Sequence, residues 1–196
     1  MTPYRFRNAI RITLGVAAVL ILGLAALAYP ARAAWPGWPE SLVTAVVIAF
    51  IVNYSIPMPV GEGSLVHLVS LGNILVYSPL SITAVVAAGV LLGDVVRIVW
   101  RRGPGYRDMP LSDRIGLAAF DVAQHIFCLL AAFGLYSWAG GLHPFTGFSP
   151  VNIVGLLGFV AGFYAGYNVL LLIDLYLRGD SLRRYVTLNR RGMLAL

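Results

Sequence analysis

The feature that most constrains this chain is a series of apolar runs, each about as long as a bilayer is thick. Residues 14–29 read LGVAAVLILGLAALAY and carry no charge. A helix crosses the hydrocarbon core with about 20 predominantly apolar residues, and its backbone groups bond within the helix itself. The runs lack the alternation typical of strands in a membrane β-barrel. The sequence therefore predicts an all-α membrane helix bundle.

Composition and length indicate one integral membrane domain. Hydrophobic residues make up 59% of the 196 residues and charged residues 11%, against about 25% charged residues in an ordinary soluble domain. The length favours a single domain over residues 1–196. The final residues, GMLAL, begin another apolar run. This run leaves open that the sequence is the N-terminal part of a longer protein.

The apolar runs divide the chain into six predicted transmembrane helices. They cover residues 10–29, 41–56, 64–77, 80–100, 115–138 and 151–177. The second and third runs are shorter than the others and shorter than a bilayer requires. We expect them either to cross a locally thinned membrane or to form a broken pair around the segment that joins them.

Arginine positions predict the orientation of the bundle. Every arginine except Arg32 lies before or at the start of the first run, around the loop between the fourth and fifth runs, or after the sixth. With six spans, these three groups share one side, which the positive-inside rule identifies as the cytoplasm. We therefore expect a multi-pass protein of a bacterial inner membrane with both termini inside. The net charge of +6 then indicates attraction to anionic lipid headgroups rather than nucleic-acid binding.

Several polar residues interrupt the apolar runs and predict a polar cluster inside the bundle. Asp94 and Arg97 lie three residues apart on one face of the fourth span, and Asp121 and His125 lie four apart on the fifth, with Gln124 beside them. A charge in mid-membrane is unfavourable by about 2.5 to 3.5 kcal/mol, so these side chains should face other helices. The cluster either joins helices by hydrogen bonds or binds a ligand or a proton.

The sixth span carries two further polar groups. Asn168 lies in the middle of this span, where it either joins the polar cluster or bonds a neighbouring helix. Asp174 and Arg178 lie four residues apart near its inner end and predict an ion pair at the surface.

Close packing between helices is predicted from glycine spacing on the fourth span. Gly89 and Gly93 lie four residues apart. Small residues at this spacing let a neighbouring membrane helix approach closely.

The stretch IPMPVGEGSLVHL, residues 56–68, breaks the apolar pattern between the second and third spans. Pro57 and Pro59 cannot continue a helix, and Gly61 and Gly63 permit a tight turn. We expect residues 57–63 to form a compact turn at the inner face. This segment is either a simple turn or a binding loop in which Glu62 faces a ligand or a partner.

A resemblance to a known family rests on four stretches. The Pro-x-Pro turn is followed by SPLSITAVVAAGVLLGDVVR, FDVAQHIFCLLAAFGLY and YNVLLLIDLYLRGDSLRRYV. Together these resemble the multi-span N-terminal membrane module of bacterial signalling proteins that carry HD-GYP or GGDEF output domains. That module is itself similar to the S components of energy-coupling-factor vitamin transporters. The resemblance covers about residues 40–190 and implies a sensory or ligand-binding function.

The remaining observations narrow the functional class. The sequence has no Gly-x-Ser-x-Gly, His-Glu-x-x-His, P-loop or Gly-x-Gly-x-x-Gly motif, so we predict no enzyme activity and no cofactor. Cys128 is the single cysteine, which excludes a disulfide framework within the chain. We expect a sensory or ligand-binding module of a signalling protein in the lipid bilayer, with a small ligand.

Two alternatives to a signalling module remain open. One is an S-component-like transporter subunit for a small molecule. The other is a membrane scaffold that binds partner helices or a second copy of itself. A vitamin-capture protein should carry its polar groups near the outer leaflet, whereas Asn53, Asp94 and Asp121 fall toward the inner side of the predicted topology. This distribution favours signalling or scaffolding.

Overall fold

The structure is a computed structural model, and it describes most of the chain. The described residues are 3–28, 36–53, 56–58, 61–63, 66–74, 76–100, 109–142, 145 and 147–178.

Within these residues the chain forms six helices and one short two-stranded ribbon. In chain order the elements are α1 (Pro3–Ala28), α2 (Trp38–Asn53), β1 (Ile56–Met58), β2 (Gly61–Gly63), α3 (Val66–Ile74), α4 (Pro79–Trp100), α5 (Leu111–Trp138) and α6 (Pro150–Arg178). The predicted all-α helix bundle is confirmed.

Four of the helices are long and apolar enough to cross a membrane. They are α1, α4, α5 and α6, with mean hydropathies of 2.3, 2.1, 1.7 and 1.9 over their most apolar windows. The 16 residues of α2 and the 9 residues of α3 correspond to about 24 Å and about 14 Å of helix. The prediction of a third span over residues 64–77 is therefore corrected, because α3 is too short to cross about 30 Å of hydrocarbon alone.

The ribbon between α2 and α3 forms the predicted compact reversal. β1 and β2 are antiparallel, and Ile56 pairs with Gly63, Pro57 with Glu62 and Met58 with Gly61. This register leaves residues 59–60 as the connection, and they lie outside the described residues. The side chains of the ribbon, that of Glu62 included, are also outside the description.

Helix α1 runs parallel to α5. Near its start, Asn8 contacts Asp113 at the beginning of α5, and further along, a Cβ at Gly15 would lie 2.8 Å from the carbonyl oxygen of Ala119. Residue numbers therefore rise in the same direction on both helices. The glycine is needed here because a larger side chain would meet the α5 backbone.

Helix α6 runs antiparallel to α5 and packs on it through its own glycines. A Cβ at Gly162 would lie 3.0 Å from the Cα of Ala132, and one at Gly166 would lie 3.4 Å from Cys128. Residue numbers rise on α6 as they fall on α5. The ends of α1 and α5 that carry their first residues therefore lie beside the last residues of α6.

Helices α2 and α4 are parallel and very close. A Cβ at Gly89 would lie 2.8 Å from the carbonyl oxygen of Ala45, and one at Gly93 would lie 3.0 Å from that of Ala49. The predicted close approach at these two glycines is confirmed. Because two consecutive long elements run the same way, the ribbon and α3 must return the chain between them. This is the broken pair, rather than two full spans.

The end of α2 lies part of the way along α4. Asn53, its last residue, donates to the carbonyl oxygen of Gly93 at 2.9 Å, while α4 continues to Trp100. At 1.5 Å per residue, α2 stops about 10 Å short of the end of α4. The last turn of α2 and the start of the ribbon are therefore level with Asp94 rather than with the end of the bundle.

The core lies where α2, α4, α5 and α6 meet. Ile48, Val86, Val90, Ile126 and Leu129 are completely buried there. By contrast, α1 exposes a row of large apolar side chains that includes Leu20, Leu24 and Leu27. Such a surface is an aggregation hazard in water and a normal contact with lipid tails. Together with the four long helices, it identifies the chain as a membrane protein.

Candidate functional site

The most unusual residue inside the bundle is Asp94, whose side chain has no exposed area. It follows Gly93, one of the two glycines at which the α2 backbone closely approaches α4. The close approach that the glycine permits therefore also encloses the neighbouring carboxylate.

Arg97 links three helices with one guanidinium group. Its Nη1 atom lies 3.5 Å from Asp94 Oδ1 on α4 and 3.8 Å from Asp121 Oδ2 on α5. Its Nη2 atom donates to the carbonyl oxygen of Val52 in the last turn of α2. We call Asp94, Arg97 and Asp121 the shared triad, because two carboxylates share one cation.

Charges in the shared triad do not balance if both acids are ionised. The distances of 3.5 Å and 3.8 Å are ion-pair distances, longer than the 2.7 to 3.2 Å of a good hydrogen bond. Neither carboxylate oxygen of Asp94 accepts a hydrogen bond. Buried polar groups in native proteins are almost always hydrogen-bonded, so an exception of this kind marks a special site.

Asn53 adds another buried acceptor at the same level. Its Nδ2 atom donates to the carbonyl oxygens of Ala49 at 2.8 Å and Gly93 at 2.9 Å. These two bonds fix the orientation of the amide, so the remaining atom is the Oδ1 oxygen. This oxygen is buried and has no donor. The α2–α4 contact therefore holds three buried acceptor atoms that lack donors, one on Asn53 and two on Asp94.

On α5, Gln124 lies three residues after Asp121 and His125 lies four residues after it. The Nδ1 atom of His125 is 2.8 Å from the backbone carbonyl oxygen of Asp121. A carbonyl can only accept, so this bond places the ring proton on Nδ1 and leaves Nε2 as the acceptor nitrogen. Gln124 is buried, with 7% of its surface exposed.

The other two predicted site residues are not joined to the triad by a described contact. Asn168 Nδ2 donates to the carbonyl oxygen of Tyr164, one turn back on α6, at 2.7 Å. Glu62 belongs to β2, where its backbone is opposite Pro57. Their roles in a site stay predictions.

A second buried charge group was not found from the sequence. Arg11 on α1 donates to Asp174 Oδ1 on α6 through Nε at 3.0 Å and through Nη2 at 2.5 Å. The two side chains are 3% and 4% exposed. We call these two residues the matched pair, because one cation meets one anion.

The matched pair corrects the prediction for Asp174. The predicted surface position is wrong, since Asp174 is buried and bonds to Arg11 of α1. The side chain of Arg178 lies outside the described residues, so a contact between Asp174 and Arg178 stays a prediction. Sequence spacing shows only neighbours on the same helix, whereas the partner comes from a helix 163 positions away. One signal was available: Arg11 follows Ile10 within the first apolar run, and a charge at that depth needs a partner.

Further polar contacts fix the same end of the bundle. Asn8 Nδ2 donates to Asp113 Oδ1, and Arg7 Nη2 lies 3.9 Å from Asp113 Oδ2. Arg114 donates from Nε to the carbonyl oxygen of Met109 at 2.9 Å. These arginines, which the sequence indicates only as markers of topology, therefore also hold the helix ends together.

At the opposite end, the connection between α5 and α6 is bonded to both helices. Tyr136 donates from its hydroxyl to the carbonyl oxygen of Leu142 at 2.6 Å. Asn152 accepts from the Leu142 amide at 3.0 Å and donates to the Gly147 carbonyl oxygen at 2.7 Å. Each of these polar groups takes part in a hydrogen bond, whereas the Asp94 carboxylate accepts none.

Two properties limit what the site can bind. Among the described residues, no group of three or more His, Cys, Asp or Glu side chains comes together. Cys128, the single cysteine, is buried in the core as a free thiol.

Comparison with protein-family models, with curated proteins and with solved structures finds no match to this chain. The fold and the site define its class as an all-α membrane protein with a buried, unevenly shared charge cluster.

Proposed function

We propose that this chain is a sensory membrane module and that the shared triad is its ligand-responsive site. The observation that carries the proposal is Asp94, a fully buried carboxylate whose oxygens accept no hydrogen bond beside an arginine that it shares with Asp121. An unsatisfied buried acceptor is unfavourable by about 1 to 3 kcal/mol. A purely structural cluster has no reason to retain this cost.

The link from Arg97 to α2 gives the site a route to the rest of the protein. Arg97 bonds the Val52 carbonyl oxygen, one residue before α2 ends. A ligand that changes the charge at Asp94 changes how strongly the guanidinium is attracted to the carboxylates. It therefore biases the position of the last turn of α2 and of the ribbon that follows. A response of this kind needs two arrangements that the ligand binds differently.

The proposal also covers the membrane in which the protein lies and the orientation of the bundle in that membrane. The first residues of α1 and α5 and the last residues of α4 and α6 lie at one end of the bundle, and Arg7, Arg11 and Arg114 are among them. The positive-inside rule supports the cytoplasmic side of a bacterial inner membrane for this end. An alkaline phosphatase reporter fused after Leu196 should then be inactive in cells, and strong activity would contradict the orientation.

The resemblance of the sequence to membrane modules of HD-GYP and GGDEF signalling proteins supports the same function. The transporter-subunit and scaffold alternatives stay as predictions from the sequence, and no contact in the described residues favours either over sensing.

The experiment that tests the proposed function measures whether the shared triad controls α2. Spin labels are placed on two exposed positions, Phe50→Cys on α2 and Ile115→Cys on α5, in a Cys128→Ser background. Electron–electron double resonance in lipid nanodiscs then gives the distance between the two helices. We expect Arg97→Met to shift or broaden this distance.

The matched control for this experiment is Arg7→Met, which removes a partly exposed arginine from α1. It should leave the distance between α2 and α5 unchanged. If Arg97→Met folds and also leaves the distance unchanged, the triad does not control α2 and the proposed function fails.

A further inference from the structure

The α2–α4 contact beside the shared triad holds buried acceptors that no donor reaches, and this deficit indicates what the site binds. The three buried atoms without partners at the α2–α4 contact are Asp94 Oδ1, Asp94 Oδ2 and Asn53 Oδ1. All three are acceptors. A site short of donors is completed by a species that brings a hydrogen or a positive charge, so an anion or a further acceptor is excluded.

Among the described side chains, few charged groups lie on the helices around Asp94. They are Arg97 on α4 itself; Asp113, Arg114, Asp121 and His125 on α5; Arg7 and Arg11 on α1, which Asp113 and Asp174 engage; and Glu40 in the first turn of α2, at the far end of that helix. The side chains of Glu62 on β2 and His67 on α3 lie outside the described residues. Arg114 donates to the Ile98 carbonyl oxygen at 3.5 Å, at the end of α4. Among the described ion pairs, Asp94 therefore meets only Arg97, which Asp121 also engages.

A metal cation fits this arrangement poorly. It would have to lie close to the guanidinium of Arg97, whose Nη1 is 3.5 Å from Asp94 Oδ1, and the two positive charges would repel. A proton avoids both difficulties. It needs no set of several ligands, and it converts a carboxylate into a group with one O–H donor and an acceptor.

We propose that the ligand of the shared triad is a proton, carried by Asp94 at neutral pH. This inference rests on the proposed sensory function, to which it assigns a ligand. With Asp94 protonated, Arg97 is balanced by Asp121 alone, and the buried cluster is neutral. When Asp94 loses the proton, two carboxylates compete for one guanidinium.

Loss of the proton also has a structural consequence. Arg97 Nη2 donates to the Val52 carbonyl oxygen of α2. The second negative charge draws the guanidinium toward the carboxylates and weakens this bond. Proton release at Asp94 therefore loosens the last turn of α2, and proton binding holds it on α4.

Infrared difference spectroscopy of the full chain in lipid nanodiscs tests the inference, because a protonated carboxyl group has a C=O stretching band that a carboxylate lacks. We expect the wild type at neutral pH to show this band, and Asp94→Asn to lose it completely. Asp174→Asn is the matched control, since it changes another buried aspartate and should keep the band.

Two further variants identify which carboxyl group carries the proton. The C=O frequency differs between aspartic and glutamic acid, so Asp94→Glu should shift the band and Asp121→Glu should leave it in place. A shift in Asp121→Glu alone would overturn the assignment to Asp94. If Asp94→Asn does not fold, the wild type can be labelled with carboxyl-¹³C aspartate. Solid-state nuclear magnetic resonance of this sample then detects the same protonated carboxyl group.

The wild type itself provides the decisive negative outcome. Absence of a protonated carboxyl signal at neutral pH would overturn the inference. In calorimetry, sodium or potassium that binds with a measurable heat to the wild type and not to Asp94→Asn would show that the ligand is a metal cation instead. The two proposals fail separately. If Asp94 carries a proton but α2 does not move at alkaline pH, the proposed sensory function is contradicted. If Arg97 controls the position of α2 but Asp94 carries no proton, only the assignment of the ligand is contradicted.

Discussion

The bundle contains two charge groups that differ in their balance and in their burial, since Arg97 and Asp121 are partly exposed and Arg11 and Asp174 are not. In the matched pair, Arg11 meets Asp174 alone, with two hydrogen bonds to one oxygen and almost no exposure. In the shared triad, Arg97 meets two carboxylates at 3.5 Å and 3.8 Å, and Asp94 accepts no hydrogen bond. Both groups join distant helices. Burial of a charge therefore does not by itself distinguish the two groups, whereas the ratio of acids to bases in the described ion pairs does.

The difference also predicts that substitutions in the two groups lower the free energy of unfolding by different amounts. A matched pair that loses one partner leaves an uncompensated buried charge, which destabilises a protein by about 3 to 5 kcal/mol. A triad that already holds a proton is less sensitive, because its second acid is neutral.

The largest expected effect is that of Arg11→Met, which leaves Asp174 buried without its partner. We expect the free energy of unfolding to fall by about 3 to 5 kcal/mol, measured by denaturant titration in mixed detergent micelles. Replacing both residues, as Arg11→Met with Asp174→Leu, should recover most of the loss, because no charge then stays buried. A loss below about 1 kcal/mol in the single variant would show that the matched pair is not structural.

Arg97→Met should have a smaller effect than Arg11→Met, although Arg97 also contacts two other helices. The variant loses a hydrogen bond from a charged group to Val52, which contributes about 1.5 to 3 kcal/mol, and it leaves Asp121, whose side chain is 31% exposed. The same unfolding titration measures both variants. Equal losses would remove the distinction between the two groups.

Gly89→Ala tests whether the close approach of α2 holds the shared triad together. The added methyl group would lie 2.8 Å from the Ala45 carbonyl oxygen and 2.8 Å from Ile48 Cβ. Overpacking of this kind destabilises by about 1 to 3 kcal/mol, with one methyl toward the lower end. The labelled pair on α2 and α5 should also move apart.

The control for this substitution is Gly134→Ala on α5, where a Cβ meets nothing within 4 Å. Alanine is the better helix former by about 0.5 to 1 kcal/mol, so this control should be neutral or slightly stabilising. A similar loss in both variants would mean that glycine at position 89 has no role in packing.

The smallest effect on stability is expected for Asp121→Asn. Asp121 is partly exposed, and an amide has nearly the same shape, so the free energy of unfolding should change by less than about 1 kcal/mol. The infrared band should nevertheless disappear, because Arg97 then has only Asp94 to balance it and Asp94 ionises. A band that persists in this variant would contradict the charge-balance argument.

Parts of the candidate site could be predicted from the sequence. Asp94 and Arg97 lie three residues apart, so any helix places them on one face, and the structure joins them by an ion pair. The close approach of α2 at Gly89 and Gly93 could likewise be predicted from the spacing of these two glycines. The contact of Asp174 with Arg11 could not be predicted, because sequence spacing relates residues of one helix and Arg11 lies on another helix.

The sequence by itself determined that this chain forms long apolar helices in a membrane, because removing apolar side chains from water is favourable whichever helix they later meet. The tertiary structure decided which charges meet. Arg11 meets Asp174 because the start of α1 lies beside the end of α6, and Arg97 is shared by Asp94 and Asp121 because the last part of α4 lies against the first part of α5. Only the packed bundle encloses Asp94 completely and sets it beside an arginine that Asp121 also contacts, because residues of different helices meet only when the helices pack.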